Sequence, residues 1–320
     1  MTTQNHDPSL LRFALSIEPL GETTAAARRA EDMGFDYISA GEHLLFHSGV
    51  SVNAMMRLAA AASVTENIRL MTGITYAPLY PPAILTWLAS SLDRLSGGRF
   101  DLGVGIGGEY PPEFELVGVD LRERGARANE ALEVLRRLWS QELTSFEGRF
   151  NHFENIAWEH DPVQERLPVW IGGRKAPAMR RAARFGDGWL PYMMSAEGLA
   201  ASVATVCEEA VRLGRAPGSI RTGFATTVTV YRDRAKARRV AADMMAAGFK
   251  QDLAHILDSY VVVGDPETCQ ERIRSYYDAG ARLMVLAPSC PQEDLDEMLD
   301  LLVSEVLPEF RGRADLAPSA

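Results

Sequence analysis

The chain has 320 residues, 47% hydrophobic and 24% charged, with 33 Lys and Arg against 43 Asp and Glu for a formal net charge of −10. This suits one large α/β domain or two ordinary ones, with apolar residues enough for a sizeable core. The negative charge excludes nonspecific nucleic-acid or anionic-membrane binding as a main activity, and no apolar run approaches the ~20 residues of a spanning helix.

Strand and helix patterns alternate from end to end. Residues 13–17 read as a strand, 23–33 as an alanine-rich helix and 37–40 as a second strand, followed by a loop carrying His43 and His47. A helix over 52–64 leads to a third strand at 68–75. Pro81-Pro82 suits the first turn of the next helix, where Ile84, Leu88, Ser91, Leu92 and Leu95 fall at the spacing of one buried face. Ser96-Gly97-Gly98 ends that helix, and a fourth strand at 100–104 runs into the glycine-rich segment from Gly103 to Gly108.

A helix over 124–139 places Ala128, Ala131, Leu132, Leu135 and Trp139 on one stripe. Residues 140–167 break the alternation and read as an insertion with a hairpin-like excursion around Glu147-Gly148. The pattern resumes with a strand at 169–171, Gly172-Gly173, a helix at 177–185, a strand at 188–190, a helix at 196–213 and a strand at 221–231. Residues 234–257 read as mostly helical with a break at Gly248. Asp265-Pro266 is an N-cap followed by a first-turn proline, and that helix runs to Ala279 with Gly280 as its cap. A last strand at 283–286, a terminal helix with Leu295, Met298, Leu299, Leu302 and Val306 on one face, and a frayed tail at 314–320 complete the chain.

Eight strands each followed by helical pattern predict a (β/α)8 TIM barrel, read as a single domain over 1–320. The rival is a doubly wound open sheet, but no GxGxxG fingerprint follows the first strand. The arginines at 122, 124 and 127, and at 180, 181 and 184, are expected on solvated helix faces. Cys207, Cys269 and Cys290 are widely spaced, and the polar first eleven residues lack a signal-peptide pattern, so a cytoplasmic location is expected.

In a barrel, ligands lie at the C-terminal ends of the strands. His43 is the acid/base candidate there, with Glu42 beside it. His43 and His47 share an i, i+4 spacing, but Leu44 stands where a zinc-site glutamate would be, so no metal is expected. Gly172-Gly173-Arg174-Lys175 is the anion-site candidate: two glycines expose backbone N–H groups before a helix N-terminus, and two cations adjoin them. Glu109 and Tyr110 follow Gly107-Gly108 and are read as functional or solvated. Tyr76, Trp189, Tyr192 and Met193 follow or end strands and could line a substrate pocket or pack the core.

Four segments together resemble a known family: residues 39–43; 72–82 with the downstream LDRLSGGRFDLGVGIGG; 168–191 (PVWIGGRKAPAMRRAARFGDGWLP); and 263–286 (VGDPETCQERIRSYYDAGARLMVL). They are similar to the luciferase-like monooxygenase superfamily, which includes deazaflavin-dependent oxidoreductases. The resemblance runs from about residue 11 to about residue 309. It implies a TIM barrel that binds coenzyme F-420 (F420) or, alternatively, FMN, with the cofactor phosphate on Gly172–Lys175. It implies a non-proline cis peptide at Gly73-Ile74 supporting the ring, and His43 and Glu42 near the reactive ring.

With F420 the expected reaction is hydride transfer to or from a small organic substrate; with FMN it is oxygenation. Gly107 and Gly108 are expected beside the ring and ribityl chain, with Glu109 as a further catalytic candidate and His47 in the substrate pocket. Some relatives have an aromatic residue at the position of His47, and one glycine fewer before Glu109. A homodimer is expected. Two rivals are a non-catalytic flavin-binding relative and a TIM-barrel lyase or isomerase using Lys175.

Overall fold

A computed structural model describes residues 10–45, 52–108, 110–249 and 254–311. β1 (Arg12–Ser16) leads through α1 (Thr23–Asp32) to β2 (Tyr37–Ala40), and α2 (Ala54–Ala62) leads to β3 (Arg69–Thr72) and the short β4 (Thr75–Tyr76). After α3 (Pro82–Leu95) come β5 (Phe100–Gly105), the single-turn α4 (Pro112–Leu116) and α5 (Arg124–Leu138). β6 (Leu143–Glu147) and β7 (His152–Ala157) form a separate antiparallel hairpin ahead of β8 (Val169–Gly172). α6 (Ala176–Phe185), β9 (Gly188–Leu190), α7 (Ala196–Arg212), β10 (Arg221–Val230) and α8 (Arg234–Phe249) follow. The chain ends through α9 (Leu257–Tyr260), β11 (Val262–Gly264), α10 (Pro266–Asp278), β12 (Leu283–Pro288) and α11 (Leu295–Leu301).

Parallel pairing runs β1–β2–β3–β5–β8–β9–β10–β12 and returns to β1, closing the eight-position barrel that the alternation predicts. Side chains alternate between lumen and helix layer, as the strand period of two requires. Phe100, Leu102 and Val104 join the large outer core, leaving Asp101, Gly103 and Gly105 to face inward. Ala14, Tyr37, Met71, Trp170, Leu190, Leu283 and Val285 come from six different strands yet form one small cluster, which is the packed lumen.

The N-terminal end of the lumen is closed by charge. Fully buried Asp101 pairs with Arg69, accepts the Trp170 indole N–H at 2.9 Å, and lies 3.6 Å from Arg221. Arg221 in turn stacks over the Trp170 ring at 4.8 Å. Among the described residues, the open end of the lumen is therefore the one at the C-terminal ends of the strands.

Some elements differ from the sequence reading. β11 pairs with Val228–Val230 of β10 and is an added strand, too short and too close to the next helix cap to show a period. Between residues 234 and 257, α8 runs through Gly248 to Phe249, and Leu257 begins the separate α9. The buried face of α3 is Leu85, Ala89 and Leu92 with Thr86, Ser90 and Asp93, while Ile84 and Leu95 are exposed. Arg181 is buried, donating to Asn129 Oδ1 at 2.7 Å and to the Gly125 carbonyl at 3.2 Å, so it ties α6 to α5. No described helix is long and apolar enough to cross a membrane.

Candidate active site

The third barrel position is broken in the middle, and this break shapes the mouth. The β3–β5 ladder stops at Met71 and Asp101, and the β4–β5 ladder resumes at Thr75 and Val104. Between them the Thr72 hydroxyl replaces the backbone pairing. It donates to the Gly103 carbonyl at 2.7 Å and accepts from the Gly103 N–H at 2.8 Å. The Gly73-Ile74 peptide is cis. The Ile74 side chain enters the lumen, and only glycine fits around it. A Cβ on Gly105 would stand 1.7 Å from Ile74 Cδ1, one on Gly172 2.9 Å from it, and one on Gly103 1.8 Å from the Thr72 carbonyl oxygen.

Ile74 thus floors the mouth. The inward positions at the strand tops around it are small, at Ser39, Gly73, Gly105 and Gly172, and Gly73 is exposed. The glycines at 103 and 105 consequently make room for the bulge of the neighbouring strand. Gly107 and Gly108 have φ of 57° and 108°, and a Cβ on them would meet the Tyr76 ring at 2.7 Å and Arg124 Nε at 2.8 Å.

One side of the mouth holds a cluster of proton-bearing groups. Glu42 follows β2 and is buried; its Oε2 accepts from the Tyr80 hydroxyl at 2.8 Å and from Asn53 Nδ2 at 3.2 Å. Asn53 also caps α2 through its Oδ1, which explains how a helix start orients the carboxyl. Burial raises the Glu42 carboxyl to about 7, against hydrogen bonds from Tyr80 and the Tyr76 N–H, with the nearby Glu113 charge adding to the rise.

His43 Nε2 lies 3.2 Å from the Tyr76 hydroxyl, and its Nδ1 lies 3.4 Å from Glu113 Oε1. The two rings meet edge to face at 5.3 Å. Glu18, just past β1, accepts the Gly41 N–H, and desolvation of its carboxyl raises it although the residue as a whole is exposed.

The opposite side holds the glycine turn. Gly173 has φ of 111°, and its carbonyl accepts the Trp189 indole N–H at 2.8 Å. Lys175 is the N-cap of α6, with no side-chain bond to the first turn and Pro177 behind it. The N–H groups of that turn are left without a capping side chain, at the end where the helix dipole favours negative charge. Arg174 donates to the Met193 carbonyl, and its guanidinium lies 5.3 Å from the Tyr192 ring centroid. Lys175 is exposed.

The structure brings Glu42, His43, Gly73, Ile74 and Tyr76 together, and brings Gly172 to Lys175 together with Tyr192 and Met193. Trp189 is not a pocket residue: it is fully buried in the outer core, where it braces the glycine turn. Tyr76 is also buried and belongs to the proton-bearing cluster. Tyr110 opens the turn into α4, its carbonyl accepting the Glu113 N–H at 3.2 Å. His47 and Glu109 lie outside the described residues. The sequence reading missed Glu18, Asn53, Tyr80 and Glu113. Asn53 carried a signal, as an N-cap residue before an apolar run; the others had none, because their partners are far away in the chain.

The luciferase-like monooxygenase family model matches residues 2–283. An F420-dependent glucose-6-phosphate dehydrogenase of Intrasporangium calvum is 29% identical over 89% of this chain and 93% of its own length. An F420-dependent hydroxymycolic acid dehydrogenase of Mycobacterium tuberculosis is 28% identical over 90% of this chain and 84% of its own. The monooxygenase RslO1 of Streptomyces bottropensis superposes with a TM-score of 0.81 at 21% identity, covering 94% of this chain and all (100%) of that one. With its closed barrel and a family match over most of its length, the chain belongs to the luciferase-like monooxygenase family.

Proposed function

We propose that the chain is an F420-dependent oxidoreductase that moves a hydride between the deazaflavin and a small organic substrate, with His43 handling the accompanying proton. The observation that carries this reading is one mouth with two unlike sides. A floor of Ile74 ringed by small residues leaves room for a flat ring, and His43, Glu42 and Tyr76 stand beside it. When bound, F420 supplies the ring carbon that accepts or gives up the hydride.

The chain's own residues do the rest. The Gly172-Gly173 turn, the start of α6 and Lys175 would hold the cofactor phosphate, with Arg174 beside them. The Gly73-Ile74 bulge would back the ring. Gly107 and Gly108 would keep the adjoining wall low beside the ring. His43 holds or moves a proton at Nε2, in contact with the Tyr76 hydroxyl, and a Glu42 carboxyl that titrates near neutrality can stand as acid or base at physiological pH. Tyr110, Tyr192 and Met193 would border the substrate. F420 is favoured over FMN because the two dehydrogenases similar along most of the chain are both F420-dependent. Their substrates, a sugar phosphate and a hydroxymycolic acid, differ too much to transfer one here.

A homodimer is part of this reading, supported by exposed apolar residues at Met56 on α2 and at Ile84, Trp87 and Leu95 on α3. A cytoplasmic location agrees with three free cysteines. The test is loss or recovery of F420 absorbance with panels of alcohols, aldehydes and ketones, in the parent and in His43→Gln. Turnover should fall roughly a hundredfold or more in the variant; unchanged turnover would contradict the role given to His43.

A further inference from the structure

Glu113 has no place in the reading above, yet among the described residues it is the most enclosed carboxylate near the mouth. Its side chain is completely buried, at 0% exposure. Oε1 accepts the Leu45 N–H at 3.0 Å and lies 3.4 Å from His43 Nδ1. Oε2 is buried without a hydrogen-bond partner among the described residues. A buried carboxylate costs free energy unless donors surround it, so a group placed there at such cost needs a reason.

Its backbone is held firmly. Pro111-Pro112 open α4, Glu113 N–H is bonded to the Tyr110 carbonyl, and the Val119 N–H closes the turn on the Phe114 carbonyl at 2.9 Å, with Phe114 in the interior. The Leu45 contact ties this turn to the loop that carries His43.

The geometry points to Glu113 as the positioning residue that sets which ring nitrogen of His43 carries the proton. This rests on the reading of His43 as the proton-handling group. With the proton on Nδ1, the ring offers a donor toward Glu113 and presents the Nε2 lone pair to the Tyr76 hydroxyl. With the proton on Nε2, a lone pair on Nδ1 would face a carboxylate oxygen, which is repulsive. A carboxylate behind a histidine is a recurrent way to fix tautomer and ring orientation. Glu113 and Tyr76 then flank the two ring nitrogens of His43, with Nε2 at hydrogen-bond distance from the Tyr76 hydroxyl and Nδ1 at ion-pair distance from the carboxylate. No covalent bond is made or broken; only the proton's place is decided.

The experiment is nitrogen NMR of the full-length protein with labelled histidine, at a pH where the rings are neutral. The chain has 6 histidines, and His43→Gln identifies the resonances to follow. In the parent, His43 should carry its proton on Nδ1. Glu113→Leu, which removes the acceptor, should lose that preference, and Glu113→Gln, which keeps an acceptor oxygen, should retain it. Turnover should fall roughly tenfold to a hundredfold in Glu113→Leu and recover in part in Glu113→Gln. A proton on Nε2 in the parent, or an unchanged tautomer in Glu113→Leu, would overturn the assignment. If Glu113→Leu does not fold, the parent spectrum decides alone. Because the tautomer is read without turnover, a shifted tautomer with unaffected turnover upholds this assignment and removes the role given to His43 instead.

Discussion

Ile74 Cδ1 and a Cβ at position 105 would be 1.7 Å apart, so the two strands share one space that only glycine at 105 leaves free. The glycine-rich strand and the bulge beside it are therefore one structural unit. Gly105→Ala should destabilise the protein by about 1–3 kcal/mol through overpacking, and Ile74→Val, which removes Cδ1, should recover part of that loss. Gly103→Ala should cost more, because its Cβ would meet the Thr72 carbonyl, which is backbone and cannot swing aside. Urea unfolding of the single and double variants checks both statements.

Glu42 gives the protein a pH signature. Its carboxyl rises from 4.5 to about 7, first through burial, so between those values the folded chain keeps a proton that the unfolded chain has lost. Stability therefore falls as pH rises through that window, by at most about 3–4 kcal/mol at ~1.4 kcal/mol per pH unit. Glu42→Gln should flatten this part of the curve and be the more stable form above pH ~7. Denaturant unfolding near pH ~5 and pH ~8 measures it, and an equal slope in both proteins would be the contrary result.

Asp101 should matter for stability and little for ligand binding, because it seals the end of the lumen away from the mouth. Removing it leaves Arg69 and the Trp170 N–H without their shared acceptor. Asp101→Ala should lose about 3–5 kcal/mol in unfolding experiments. The fraction that remains folded should bind cofactor as the parent does.

Much of this was legible in the chain because barrel strands and their helices repeat a simple alternation. Residues such as Gly172, Gly173 and Asp265 announce turns and caps by their own backbone chemistry. Glu113 was not legible: it sits on a single turn opened by two prolines, and its partner His43 is distant in the chain. Arg181 misled for a related reason. Its helical spacing suits a solvated face, and only the approach of α5, with Asn129 and the Gly125 carbonyl, makes burial tolerable. On α3, periodicity located the helix and the core contacts of Leu88 and Leu92 but set the face off by part of a turn, because Thr86, Ser90 and Asp93 are buried with their polar groups hydrogen-bonded while Ile84 and Leu95 are left outside.

The glycine turn should behave as an anion site. Lys175→Ala should weaken F420 binding by on the order of 1 kcal/mol, about fivefold in Kd, with a reduced dependence on salt. Gly173→Ala should weaken it further, since its φ of 111° is unsuited to a side chain and its Cβ would stand 2.9 Å from the Ala178 Cβ. Fluorescence titration at two salt concentrations separates the charge effect from the backbone effect.

The most direct test of the cofactor assignment is titration of the purified full-length protein with F420 and with FMN in parallel, followed by tryptophan fluorescence. F420 should quench saturably at lower concentrations than FMN does. Tighter binding of FMN, or no saturable quenching by either, would contradict the assignment.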